Sequence, residues 1–184
     1  MNSAMKDLEE YYRRMIVKLI KEVGTLIRIE VVKRQALTAE MNLSYAESLR
    51  NLLQEDYNIL AKPLENVLRE SFDKFTKGED IGRIITDWLS TSLASYIYAS
   101  FQRPIPEIVE HVKTVNNFLT LVNKIIEELN KEGIYLNPIE PVTIPAQQDV
   151  FAIARTLKEA LNRLNMAIDI LKGLSDVTKE WAKT

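Results

Sequence analysis

From Ile105 onward the apolar residues Ile105, Ile108, Val112, Val115, Leu119, Val122, Ile126 and Leu129 recur at alternating spacings of three and four. This is the period of a helix that shows one partner a continuous seam. A second series, Val150, Ala154, Leu157, Leu161, Leu164, Ile168 and Leu171, has the same spacing. Gly133 stands where a left-handed cap would end the first helix, and Gly173 closes the second seam. Between them GIYLNPIEPVTIPA carries three prolines, which predicts an extended, rigid connection. Two seams of similar length joined by one loop predict an antiparallel pair. SDVTKEWAKT then reads as a last short helix, capped by Ser175, with Trp181 docking back.

Upstream, Ser44 and Glu47 stand three apart, so each side chain can satisfy the other's free backbone donor, which predicts a helix start near Tyr45. Leu49, Leu52, Leu53, Ile59 and Leu60 continue at helical spacing to Lys62-Pro63, where a second helical piece begins and runs to Gly78. Glu65 with Arg69, and Glu70 with Lys74, are four apart with the acid first, the better orientation for ion pairs on a solvated face. Asp80 is placed to cap a further helix that ends before Arg103-Pro104. Residues 84–101 of that helix hold one charge, Asp87, but six Ser or Thr, too polar for a membrane span. Its low charge and its Ser and Ala content predict a helix buried in the middle of a bundle.

The N-terminal region is two-faced. If residues 5–34 are helical, Leu8, Tyr12, Met15, Ile16, Leu19, Ile20, Val23, Leu26 and Ile27 share one face, with Arg14, Lys18, Lys21 and Arg28 opposite. Gly24 permits a bend or a close approach, and LIRIEVV at 26–32 is also compatible with a strand. No repeat of 20 to 50 residues occurs. The expected fold is all-α: a helical bundle with an antiparallel heptad-patterned helix pair and an N-terminal basic amphipathic helical arm, the arm being residues 1–44 and the bundle 45–184.

Composition agrees with a folded domain: 184 residues, 46% hydrophobic, 27% charged, mean hydropathy -0.13. The absence of cysteine excludes disulfide frameworks, thiolate metal sites and cysteine nucleophiles. Abundant Ile, Glu and Lys with few Gln lean toward a thermophile. MNSAMKDLEE places acids where a secretion signal needs cations, so the expected location is intracellular or within a virion, with no signal peptide and no transmembrane segment.

Charge changes the picture more than composition does. Residues 11–34 hold seven cations, Arg13, Arg14, Lys18, Lys21, Arg28, Lys33 and Arg34, against Glu22 and Glu30. That is a balance of +5 in a chain of 24 basic and 26 acidic residues, leaving -7 on the rest. Segregation of this kind reads as a solvated face or as a partner surface. Cations at one-turn spacing can follow a polyphosphate backbone, with affinity that falls steeply as salt rises. The other partner readings are the acidic body of a neighbouring copy and an anionic membrane. The last is the weakest, because the segment has no Trp or Phe to enter lipid.

Nothing in the sequence assembles a catalytic site. His111, the single histidine, has Glu107 one turn before it, but no third ligand at helical spacing, so it reads as a surface histidine beside an acid. Glu9-Glu10, Glu55-Asp56, Glu79-Asp80 and Glu127-Glu128 are adjacent acids that diverge on a helix. No Gly-rich phosphate loop, nucleophile elbow or dinucleotide fingerprint occurs. Asp87 is the one candidate buried carboxylate, with an edge position as the bland alternative. The expectation is a non-enzymatic protein without cofactor, metal or small-molecule substrate.

A basic two-faced N-terminal helix with a glycine break, ahead of an all-helical body in a cysteine-free chain, resembles the coat proteins of filamentous archaeal viruses. The resemblance is one of architecture and carries no motif. It implies a structural protein of a nucleoprotein assembly that wraps double-stranded DNA through the basic helix, with itself or a homologous subunit as partner. On that reading Arg14, Lys18, Lys21 and Arg28 neutralise the backbone, supported by Arg13, Lys33 and Arg34. The alternatives are a small helical subunit of a CRISPR effector or replication complex, and a protein-only helical adaptor.

Overall fold

The seam of the first long helix is dry. Ile108, Val112, Val115, Leu119, Val122, Ile126 and Leu129 are all buried, as are Leu157, Leu161, Leu164, Ile168 and Leu171 of the second. The computed structural model describes residues 3–23 and 29–181, and within them all side chains but those of 3–6, 21–23 and 181. Among the described residues the chain is all-α, without strand: α1 (Ser3–Val23), α2 (Ile29–Asp56), α3 (Lys62–Thr76), α4 (Ile81–Gln102), α5 (Ile105–Lys131) and α6 (Val150–Trp181). A π-helical turn, Tyr57–Ala61, joins α2 to α3. Two compact units are formed, one from Met1–Arg50, Val115–Pro141 and Asn162–Thr184, the other from Asn51–Thr114 and Val142–Leu161.

Local signals fix several helix ends where the sequence places them. The Asp80 carboxylate accepts from Arg83 N at 2.9 Å and caps α4. The Asp149 carboxylate does the same for α6, accepting from Phe151 N and Ala152 N. Gly133 adopts φ +88°, and the amide of Ile134 turns back to the carbonyl of Leu129 at 3.0 Å, closing α5 in a conformation that a side chain would strain.

Other expectations are corrected. No helix starts at Tyr45: α2 is continuous from Ile29, so the expected 44/45 boundary falls inside it, and Ser44 merely offers its carbonyl to the Ser48 hydroxyl. Ile29–Val32 are helical rather than strand; Gly24 and residues 26–28 lie outside the described residues. Pro63 does stand in the first turn of α3, but no break precedes it. A proline has no N–H for the carbonyl four residues back and its ring collides with it; the wider π turn, closed by Lys62 N to Tyr57 O, accommodates this. Gly173 is no stop, because α6 runs through it and through the buried Ser175 to Trp181. A Cβ at Gly173 would lie 3.0 Å from Ile16 Cδ1, so the glycine lets α1 approach α6 closely. The docking expected of Trp181 lies outside the described side chains.

The expected ion pairs along α3 are replaced by longer-range ones. Glu65 accepts from the Tyr57 hydroxyl at 2.5 Å and from Lys158 at 2.9 Å, and Lys74 stands 3.4 Å from Asp87. The largest departure is α4, which buries only Ile84, Ser92 and Ala99. It is not a central buried helix.

Residues 134–142 are extended, as the prolines predict, and they have no strand to pair with. Two asparagines of α5 take that place. Asn123 receives Ile139 N and donates to Ile139 O, both at 2.8 Å; Asn130 receives Leu136 N at 2.7 Å and donates to Leu136 O at 3.0 Å. The register is geometric, since seven helical residues rise about 10 Å and three extended residues cover about the same. Ile134, Leu136, Ile139 and Val142 are thereby held in buried positions. Truncating either asparagine orphans two backbone groups of the segment, so Asn123→Ala and Asn130→Ala are each expected to cost about 2 kcal/mol. Urea unfolding measures this, with Asn117→Ala, at an exposed position of the same helix, moving the midpoint by far less.

Candidate nucleic-acid interface

α1 is built with one apolar and one charged side, and the first unit takes up the apolar one. Ile16 and Ile20 are buried, Tyr12, Met15 and Leu19 half-buried, and Leu8 exposed. α2 does likewise at its start with Val32, Ala36 and Ala39. The cations point the other way: Arg13, Arg14, Lys18, Lys33 and Arg34 are exposed. The side chain of Lys21 and the whole of Arg28 lie outside the described residues.

Acids accompany part of this set. Arg13 Nε stands 3.4 Å from Asp176, and Arg14 is bonded to Glu10 one turn earlier. Pairs this exposed contribute little to stability and exchange readily for another anion. Arg14 and Lys18 share one side of α1 a turn apart, and Lys33 and Arg34 open α2.

Two buried carboxylates, neither of them Asp87, form clusters that the sequence reading missed. Asp87 is half-exposed on Lys74. In the second unit Asp56, fully buried at the end of α2, lies 2.6 Å from His111 Nδ1, with Arg103 Nη1 2.9 Å from its other oxygen. The Arg103 contact is a charge pair without hydrogen-bond alignment, for that oxygen has no hydrogen-bond partner. Pro104 forces Arg103 into extended backbone, φ -147°, which ends α4 and turns the guanidinium to Asp56. His111 Nε2 faces Glu107 at 4.0 Å. Burial raises the Asp56 pKa, opposed by the His111 hydrogen bond and by the charges of His111 and Arg103. His111 is thus half-buried on a carboxylate from another helix, not a surface histidine. Asp56 continues the series Leu49, Leu53, Leu60 at spacings of four, three and four, and a carboxylate in an apolar seam is the signal that could have found it.

In the first unit Asp169 lies at the floor of a pocket with Leu8, Glu9, Arg50, Asn162, Asn165 and Met166. Burial, with the nearby Glu9 charge, pushes its carboxyl up to about 7 against the pull of Lys172, Arg13 and Arg50. Lys172 lies 3.6 Å from Glu9 and 3.5 Å from Glu47. Among the described residues no three His, Asp or Glu gather as metal ligands. No helix among them is long and apolar enough to cross a membrane.

No family model, curated protein or solved structure matches this chain. Among the described residues the cations of α1 and of the start of α2 form a set that is exposed to solvent.

The Asp169 shift has a pH signature. A carboxyl whose folded pKa lies above its unfolded value of 3.8 holds an extra proton in the folded state between about 4 and 7, so its contribution to stability declines as pH rises through that window and is constant above it. Asp169→Asn is therefore expected to stabilise the protein by on the order of 2 kcal/mol at pH 8 and by almost nothing at pH 4. Denaturant midpoints of wild type and variant across that range measure it, and a gap independent of pH would remove the titration.

Proposed function

We propose that the protein is a non-enzymatic structural component of a nucleoprotein assembly, inside a cell or a virion, that holds double-stranded DNA by its phosphate backbone through α1 and the start of α2. The supporting observation is directional: these helices bury their apolar side in the first unit while Arg13, Arg14, Lys18, Lys33 and Arg34 face outward. Lys21 and Arg28 belong to the same set by sequence. Backbone contact needs neither a pocket nor a base-reading side chain, only cations at a spacing that phosphates can meet, each contact releasing counterions. The two heptad seams serve as the antiparallel pair that stiffens the body, and the partner across the assembly is itself or a homologous subunit, as in the filamentous archaeal virus coats it resembles.

A protein-only adaptor is the second reading, favoured by Asp176 and Glu10, which already occupy Arg13 and Arg14. Duplex DNA separates the two. Under the DNA reading, Arg14→Glu with Lys18→Glu leaves helicity intact by circular dichroism, lowers affinity at least tenfold at low salt and flattens the slope of log affinity against log salt by about 2, close to 0.9 per lost phosphate contact. Unchanged DNA affinity across a salt series would return the cations to a solvated face and leave the adaptor reading.

A further inference from the structure

Beside its apolar seam α6 carries a second row, Asn162, Asn165, Met166 and Asp169, which shares one side of the helix over two turns. With Leu8 and Glu9 of α1 and Arg50 of α2 this row encloses a cavity of about 310 Å³ within the first unit. That volume is at the lower end for a ligand pocket and suits a molecule the size of one amino acid.

The polar groups on its wall are left without partners. Asp169 is only 8% exposed, yet among the described residues its carboxyl takes part in no hydrogen bond and no ion pair. The same holds for the Arg50 guanidinium and for the amides of Asn162 and Asn165. Buried polar groups are normally paired, and a carboxyl removed from water without a partner is costly. The other acid of the pocket is differently placed: Glu9 stands 3.6 Å from Lys172, which also reaches Glu47 at 3.5 Å. Asp169 is thus the acid open to a ligand. Arg50, near enough to pull on its charge without pairing with it, is the cation.

Opposite charges held apart on one wall disfavour simple ions. A lone cation in the pocket would face Arg50, and a lone anion would face Asp169 and Glu9. A molecule with both charges meets both demands, and the two asparagine amides can donate to its carboxylate beside Arg50. Leu8 and Met166 offer apolar surface to the remainder.

We propose that this pocket binds a small zwitterion of the α-amino-acid type, its ammonium on Asp169, its carboxylate on Arg50 and the two asparagines, and an apolar side chain against Leu8 and Met166. The site does not depend on whether α1 meets DNA.

Isothermal titration calorimetry of the full chain with L-leucine, L-isoleucine, L-valine and L-methionine tests this. At pH 8 at least one is expected to bind with a Kd of about 1 mM or below. Its analogues lacking the amino or the carboxyl group are expected to bind at least tenfold more weakly. Asp169→Asn, which keeps the size of the side chain and is expected to fold more stably at this pH, and Arg50→Met, which keeps the aliphatic stem, each weaken binding at least tenfold. The charged groups facing Asp169 are Glu9 and Arg13 of α1, Arg50 of α2 and Lys172 of α6, and burial pushes its carboxyl up to about 7. Only the ionised form accepts an ammonium ion pair, so wild-type affinity is expected to rise about tenfold from pH 6 to pH 8, a dependence absent in Asp169→Asn. No binding of any of the four at about 10 mM, equal binding of either analogue, or undiminished affinity in Asp169→Asn would overturn the proposal. So would affinity that falls as pH rises, the mark of an anion held by the protonated carboxyl.

Discussion

Extended backbone with no neighbouring strand has nowhere to put its hydrogen bonds, and the long connection between α5 and α6 meets that constraint with two asparagines. Asn123 and Asn130 each present an amide that copies the donor and acceptor of a missing strand, to Ile139 and Leu136. Because a heptad of helix and three extended residues have nearly the same length, both contacts hold in one register. Ile134, Leu136, Ile139 and Val142 become core residues as a result. The backbone groups of the two buried residues Leu136 and Ile139 are thus satisfied by side chains of α5.

The buried carboxylates show a different economy. Asp56 lies where Leu49, Leu53 and Leu60 make the seam apolar, and it is tolerated because Arg103 and His111 converge on it from the α4–α5 junction and from α5. Removing one partner from such a cluster is far more damaging than its presence is helpful, since the remaining charges stay buried. Asp169 has no comparably close cation, and its raised pKa is the consequence. Asp56 ties the end of α2 to the α4–α5 junction and to α5.

Exposed cations line α1 and the start of α2, and exposed apolar side chains recur along α4 and its neighbour α3, where Phe72 and Phe75 add to the uncovered surface. Cations at a protein surface exchange one anion for another at small cost. An exposed apolar side chain such as Leu93 of α4 has no such option in water.

Helix content, the seams of α5 and α6, the caps at Asp80 and the turn at Gly133 were legible in the sequence because each depends on neighbours within about one turn or on a period that repeats along the chain. Context decided the rest. Gly173 reads as a stop, yet its missing Cβ serves Ile16 from another helix. Ser44 and Glu47 make a plausible helix start, yet α2 already passes through them. Low charge made α4 read as buried, but apolar periodicity says only that a face seeks cover and not which molecule supplies it. His111 and Asp56 are 55 residues apart, and no local pattern links them. By itself the sequence determined which segments are helical and which faces are apolar or charged, because those follow from short-range sterics and periodicity. The tertiary structure alone decided which faces are covered, because burial depends on residues far away along the chain.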